Sequence, residues 1–257
     1  MFTVRRLLLG EKMRLVMMFI FFVVFVIFGV QFIRGQEGLT NIILSIVFLS
    51  FFSFFFLLSE VLRFIYRQAT KALVVDCDPI LAEQYITKIT KFDIIKGYRN
   101  SNLVFYSLMY MDQGEFKKLD EHIEHPVFQT SASLKLVYNY NKFYIALHND
   151  QFELATKYFR LITEAYSKKT KKRKTAKAVY SFNLIAADYY IQKKNLTKAD
   201  QNLKAIHLEL LNFRERTYFF ISQAKYFKLK GNEQKELSYL NQAKDISENL
   251  YHVANYA

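Results

Sequence analysis

The sequence predicts an all-α chain in two parts, a two-helix transmembrane hairpin followed by an α-solenoid of about four to five helical hairpins. Three observations lead there. Two uncharged apolar runs of membrane-crossing length stand near the start. Turn formers are scarce, at 7 Gly and 2 Pro in 257 residues. In the remainder a turn-like position returns every 36 to 44 residues.

Residues 1–14 form a basic tail carrying Arg5, Arg6, Lys12 and Arg14. Residues 15–62 make the membrane hairpin, with spans at about 15–33 and 39–59. As helices these runs reach ~28 Å and ~31 Å, the thickness of a bilayer core. The first is too long for a signal peptide, and "GVQFIRGQ" offers no small-residue cleavage site. Arg5 and Arg6 faintly resemble a twin-arginine signal, which the strongly apolar run argues against. Only "RGQEG" separates the spans, so both chain ends lie on one side. Cations flank the hairpin outside, with Arg63, Arg67 and Lys71 following it, while the loop's Arg34 is offset by Glu37. The positive-inside bias then places both termini in the cytoplasm of a cell-membrane protein. Glu60, one turn before Arg63, is expected to form an interfacial ion pair with it.

Residues 63–257 form the cytoplasmic repeat domain. "DQFELATKYFRLI" sets Phe152, Ala155, Phe159 and Ile162 on one helical face after a turn at Asp150. "KNLTKADQNLKAI" repeats this with Leu196, Ala199, Leu203 and Ile206 after Lys194. Looser copies follow Cys77 (Ala82, Ile86, Ile89), Gly114 (Phe116, Leu119, Ile123) and Gly231 (Leu240, Ala243). Before each turn stands a second pattern: Tyr110, Ala146, Tyr190 and Phe227 four positions ahead, with Ser107, Ala187 and Ala224 three further back. A small residue there lets two helix backbones approach. Between Ser59 and Pro79 no Gly or Pro occurs, so the second span is expected to run on into the first repeat helix.

On these residues the chain resembles the tetratricopeptide repeat family over about residues 66–250, most closely in the unit with Phe220, Ala224, Phe227, Gly231, Leu240 and Ala243. It departs from the family in having no Trp, in lacking unit-end prolines other than Pro126, and in placing Phe143 where a small residue is expected. The resemblance implies a groove that binds an extended peptide or a helix, lined by Tyr140, Tyr144, Asp188, Tyr218, Lys225 and Lys228. The family's clamp for acidic C-terminal tails is in doubt, because Val104 and Leu108 occupy two of its places.

The 44-residue gap between the turns at 150 and 194 exceeds its neighbours, and the surplus is the run "SKKTKKRKTAK". It is expected to be a basic loop between a helix ending near Tyr166 and another beginning near Ala176. Its cations are Lys168, Lys169, Lys171, Lys172, Arg173, Lys174 and Lys177. A solvated linker explains it, and so does contact with anionic lipid or nucleic acid.

Chemistry-bearing motifs are sparse. His122 and His125 sit three apart with no further ligand placed by spacing, so a polar helix end is expected and no metal site. Cys77 cannot form an intramolecular disulfide, and its neighbours Asp76 and Asp78 oppose thiolate formation. No phosphate-binding glycine loop and no Ser/His/Asp constellation occur, so neither cofactor nor catalysis is expected. The formal charge of +13 favours anionic partners, and the Lys, Ile, Phe and Asn usage suits an AT-rich bacterial genome. The leading expectation is a membrane-anchored adaptor whose groove holds a partner protein, such as a subunit of a membrane complex. Two rivals are a tether for nucleic acid or anionic lipid through residues 168–177, and a structural subunit whose spans make the contacts.

Overall fold

The structure, a computed structural model, describes residues 4–172 and 181–256. Among them every α-helix and turn of 3-10 helix is accounted for without a strand. Contacts divide the chain into two units, Met1–Phe64 and Ile65–Ala257.

The first unit holds α1 (Val4–Arg34) and most of α2 (Leu39–Val74), two helices long and apolar enough to cross a membrane. They pair antiparallel: Arg14 meets Glu60, Phe21 meets Phe56, and Gly29 lies against Leu49. A Cβ added to Gly29 would come 3.2 Å from the Leu49 Cδ1, so glycine permits this approach. Buried Ser45 is another small residue in the unit, and small residues are what let membrane helices close up. Glu60 does not pair with Arg63 as expected. The hairpin brings Arg14 opposite it, with Nη1 2.6 Å from Oε2. α2 continues unbroken to Val74, consistent with the lack of Gly and Pro in that stretch.

The second unit begins with the end of α2 and continues through α3 (Pro79–Phe92), α4 (Arg99–Gln113), α5 (Phe116–Ile123), α6 (Ala132–His148) and α7 (Phe152–Lys172). It ends with α8 (Phe182–Gln192), α9 (Leu196–Lys204), α10 (Phe213–Leu229), α11 (Glu233–Ile246) and the single turn α12 (Tyr251–Ala254). Consecutive helices pack as pairs, α4 with α5, α6 with α7, α8 with α9 and α10 with α11. Across pairs, α4 touches α6 and α8 touches α10.

All five positions expected to be turns, Cys77, Gly114, Asp150, Lys194 and Gly231, adopt positive φ, between 52° and 74°. This left-handed residue reverses the chain after a helix. At the last four, the next amide donates back to the helix: Glu115 to Tyr110, Gln151 to Ala146, Asn195 to Tyr190 and Asn232 to Phe227, at 2.8 to 3.0 Å. The carbonyls that accept are those of the four residues singled out before each turn. The faces read from spacing are buried, with Ala82, Ile86, Ile89, Leu119, Ile123, Ala155, Ile162, Ala199 and Ala243 all fully enclosed. Ser107, Ala187 and Ala224 are fully enclosed as well, and so is the misfit Phe143, which packs against Tyr144 and Phe159.

The lysine run is corrected in part. α7 continues to Lys172, so Lys168, Lys169, Lys171 and Lys172 lie on its last turns and not in a loop. Lysine is a good helix former. Arg173, Lys174 and Lys177 lie outside the described residues. α8 runs from Phe182 behind Ser181, and the expected helix start near Ala176 lies outside the described residues.

After α11 the chain turns back. Ser247 donates its hydroxyl to the Cys77 carbonyl at 3.2 Å, and Leu250 and Val253 join Cys77, Ile221 and Ala243 in one apolar cluster. α12 then packs against both α4 and α10, so the first turn and the last helices of this unit are in contact.

Candidate functional site

The residues expected to line a groove come together, but around a buried polar network. α4 supplies Asp112, two residues before the left-handed Gly114, and its carboxylate is fully enclosed. α10 supplies Arg214 from its first turn, where a capping box of Asn212 and Glu215 fixes the helix start. The guanidinium donates twice to Asp112, Nε to Oδ2 at 2.5 Å and Nη2 to Oδ1 at 2.7 Å. One helical turn later the Tyr218 hydroxyl donates to the same Oδ1 at 2.6 Å, and the guanidinium carbon lies 5.0 Å from the Tyr218 ring centre.

A second carboxylate continues the network. Tyr144 of α6 donates to Asp188 Oδ2 at 2.6 Å, and Ser222 of α10 donates to Asp188 Oδ1. The ring of Tyr140 sits 4.8 Å from that of Tyr144. Burial pushes the Asp188 carboxyl up, while Lys225, Ser222 and Tyr144 act against that. Burial first, then the adjacent carboxylate, pushes the Tyr144 and Tyr218 phenols far up, so both remain donors. For Arg214 burial opposes the charge, but Asp112 outweighs it and drives the guanidinium further up.

The space left among Tyr140, Tyr144, Leu184, Ile185, Arg214 and Tyr218 is a cavity of about 20 Å³, room for one water. Tyr140, Tyr144 and Tyr218, each under a tenth exposed, line this small cavity. Asp188 is half-buried and bonded to Tyr144 and Ser222. Lys225 and Lys228 alone remain exposed, Lys228 with its ammonium 5.6 Å from the Tyr256 ring centre.

Four participants escaped the sequence reading: Asp112, Arg214, Ser222 and His252. The spacing of Arg214, Tyr218 and Ser222, four apart along one face of α10, was the available signal. His252 of α12 stacks edge-on to Tyr218, with ring centres 5.4 Å apart, and its Nε2 is buried without a hydrogen bond among the described residues. Burial, then Lys225, His148 and Arg214, lowers its pKa to about 3, so the ring is neutral.

The remaining titratable candidates are occupied structurally. His122 Nε2 donates to the Leu103 carbonyl at 2.8 Å, and His125 Nδ1 accepts from the Val127 amide at 3.2 Å. Burial lowers the pKa of His122. Cys77 is buried and its thiol is pushed up to about 11, by burial and then by Asp112. The expected neighbour Asp76 contributes less, and Asp78 instead caps α3 at Leu81. Among the described residues no three His, Cys, Asp or Glu side chains converge. Comparison of the chain with protein-family models, with curated proteins and with solved structures finds no match.

Proposed function

We propose that the chain is a membrane-anchored scaffold. The two apolar helices hold it in a bilayer with both ends cytoplasmic, and a tetratricopeptide-like solenoid binds a partner protein. One observation supports the repeat reading: left-handed residues at 77, 114, 150, 194 and 231 at near-constant spacing, the last four each between two packed helices. The cations outside the short loop at 34–38 support the orientation. Because four of the six groove residues are bonded inside the chain, the partner face in this reading is the exposed part around Lys225 and Lys228. That surface suits an acidic segment.

A specific observation favours a second reading. Tyr144, Asp188 and Tyr218 are engaged by the chain's own side chains, and α12 packs on α4 and α10, which suits a structural subunit whose spans make the contacts. One experiment separates the two. Photo-crosslinkers at positions 225 and 228 of the full chain in native membranes, read by mass spectrometry, should trap one protein that is lost in Lys225→Ala/Lys228→Ala. Capture that survives this variant and disappears only when the spans are altered selects the structural subunit. A reporter fused after Ala257 should work on the cytoplasmic side, and activity only on the outer side would reverse the orientation.

A further inference from the structure

The turn between α3 and α4 has a surface unlike the rest of the second unit. Phe92, Ile94 and Ile95 are 51%, 65% and 69% exposed, three large apolar side chains within four positions. Around them stand Lys88, Lys91, Lys96 and Arg99, all exposed. The one acid among them, Asp93, is turned to the backbone, accepting from the Gly97 amide at 3.0 Å and the Tyr98 amide at 2.7 Å. The Lys96 amide closes the turn on the Asp93 carbonyl at 3.1 Å. The tip is thus held in one shape with its apolar side chains outward.

We propose that residues 92–96 dip into the headgroup layer of an anionic bilayer and act as an interfacial anchor, a reading that rests on the chain being membrane-held. An apolar tip with a cationic collar matches that layer. Phe and Ile enter the acyl boundary, and Lys and Arg reach back to lipid phosphates. Amides bonded within the turn lower the cost of leaving water. Chain connectivity puts the tip within reach. The Tyr98 ring lies 5.3 Å from that of Tyr66, and Tyr66 follows Ser59, the last residue of the second uncharged run, by seven positions. Seven residues span ~10 Å as a helix and ~25 Å at full extension. Tyr66 and Tyr98 are also the residue type that gathers at membrane interfaces.

The test uses the full chain reconstituted in phosphatidylcholine vesicles with or without phosphatidylglycerol. A nitrobenzoxadiazole label goes on Ile94→Cys, Ile95→Cys, the remote exposed Leu237→Cys, or Phe52→Cys in the span, buried Cys77 being common to all. Labels at 94 and 95 should be quenched several-fold more by shallow nitroxide lipids, and several-fold less by aqueous iodide, than the label at 237. Shielding should deepen with phosphatidylglycerol. Iodide access at 94 equal to that at 237, with position 52 still quenched by deep nitroxides, overturns the proposal and leaves membrane anchoring intact. Shielding from iodide without nitroxide quenching assigns the tip to a protein contact and overturns it too. Equal shielding in both lipid mixtures removes the cationic collar from the proposal. A label at 52 that deep nitroxides do not reach removes the anchoring, and this inference with it.

Discussion

The carboxylate of Asp112 is clasped by the guanidinium of Arg214 through two hydrogen bonds, across 102 residues of sequence and out of contact with water. Removing one partner leaves the other charged and buried. Asp112→Ala in the full chain in detergent should cost ~3–5 kcal/mol, and so should Arg214→Ala. Urea unfolding followed by circular dichroism should show the double variant far less destabilised than the sum. Additive losses would mean that the pair is not coupled.

Gly114 and Gly231 occupy equivalent turns but differ in surroundings. A Cβ at Gly114 would lie 2.0 Å from the Tyr251 ring, whereas one at Gly231 meets nothing within 4 Å. Gly231→Ala should cost only the left-handed strain, ~1 kcal/mol, while Gly114→Ala should cost clearly more by expelling α12. Combining Gly114→Ala with Tyr251→Ala should recover part of the difference. Equal midpoints for the two single variants would contradict the docking of α12.

Ala224 is fully enclosed on α10, which packs against α11. Ala224→Leu should overpack it and lower stability by ~1–3 kcal/mol, read as a lower thermal midpoint. An unchanged midpoint would remove this contact from the account.

His252 has a folded pKa of about 3 against 6.5 for the free side chain. Below pH 6.5 the unfolded chain binds a proton that the folded chain refuses, so stability falls as pH drops, by at most ~1.4 kcal/mol per unit. Above pH 6.5 the group contributes no slope. His252→Phe should therefore flatten the pH dependence of the unfolding midpoint between pH 6.5 and 4.5. An identical slope in both proteins would show that the ring is open to water.

The parts legible in the sequence are those built from local patterns. Left-handed turns after Tyr110, Ala146, Tyr190 and Phe227 follow from a residue type and its near neighbours, and the two long apolar helices follow from composition alone. The extension of α7 was hidden because lysines suit an exposed helix as well as a loop, and charge does not separate the two. The low exposure of Tyr140, Tyr144 and Tyr218 was not readable from spacing. Tyr218 bonds to Asp112 and packs on Arg214 and His252, and pairings across a hundred residues leave no periodic trace.

That separation has a consequence for synthesis. A ribosome adding ~5–20 residues per second leaves Asp112 without its guanidinium for ~5–20 s. Throughout that interval the early hairpins hold a hydrated carboxylate where the finished protein has a sealed ion pair, and Cys77 lacks the cover of Leu250 and Val253. In nascent chains the Cys77 thiol should therefore be labelled faster than in the completed protein. The second unit cannot mature one hairpin at a time, and its early helices wait for α10 and α12 before their interior is dry.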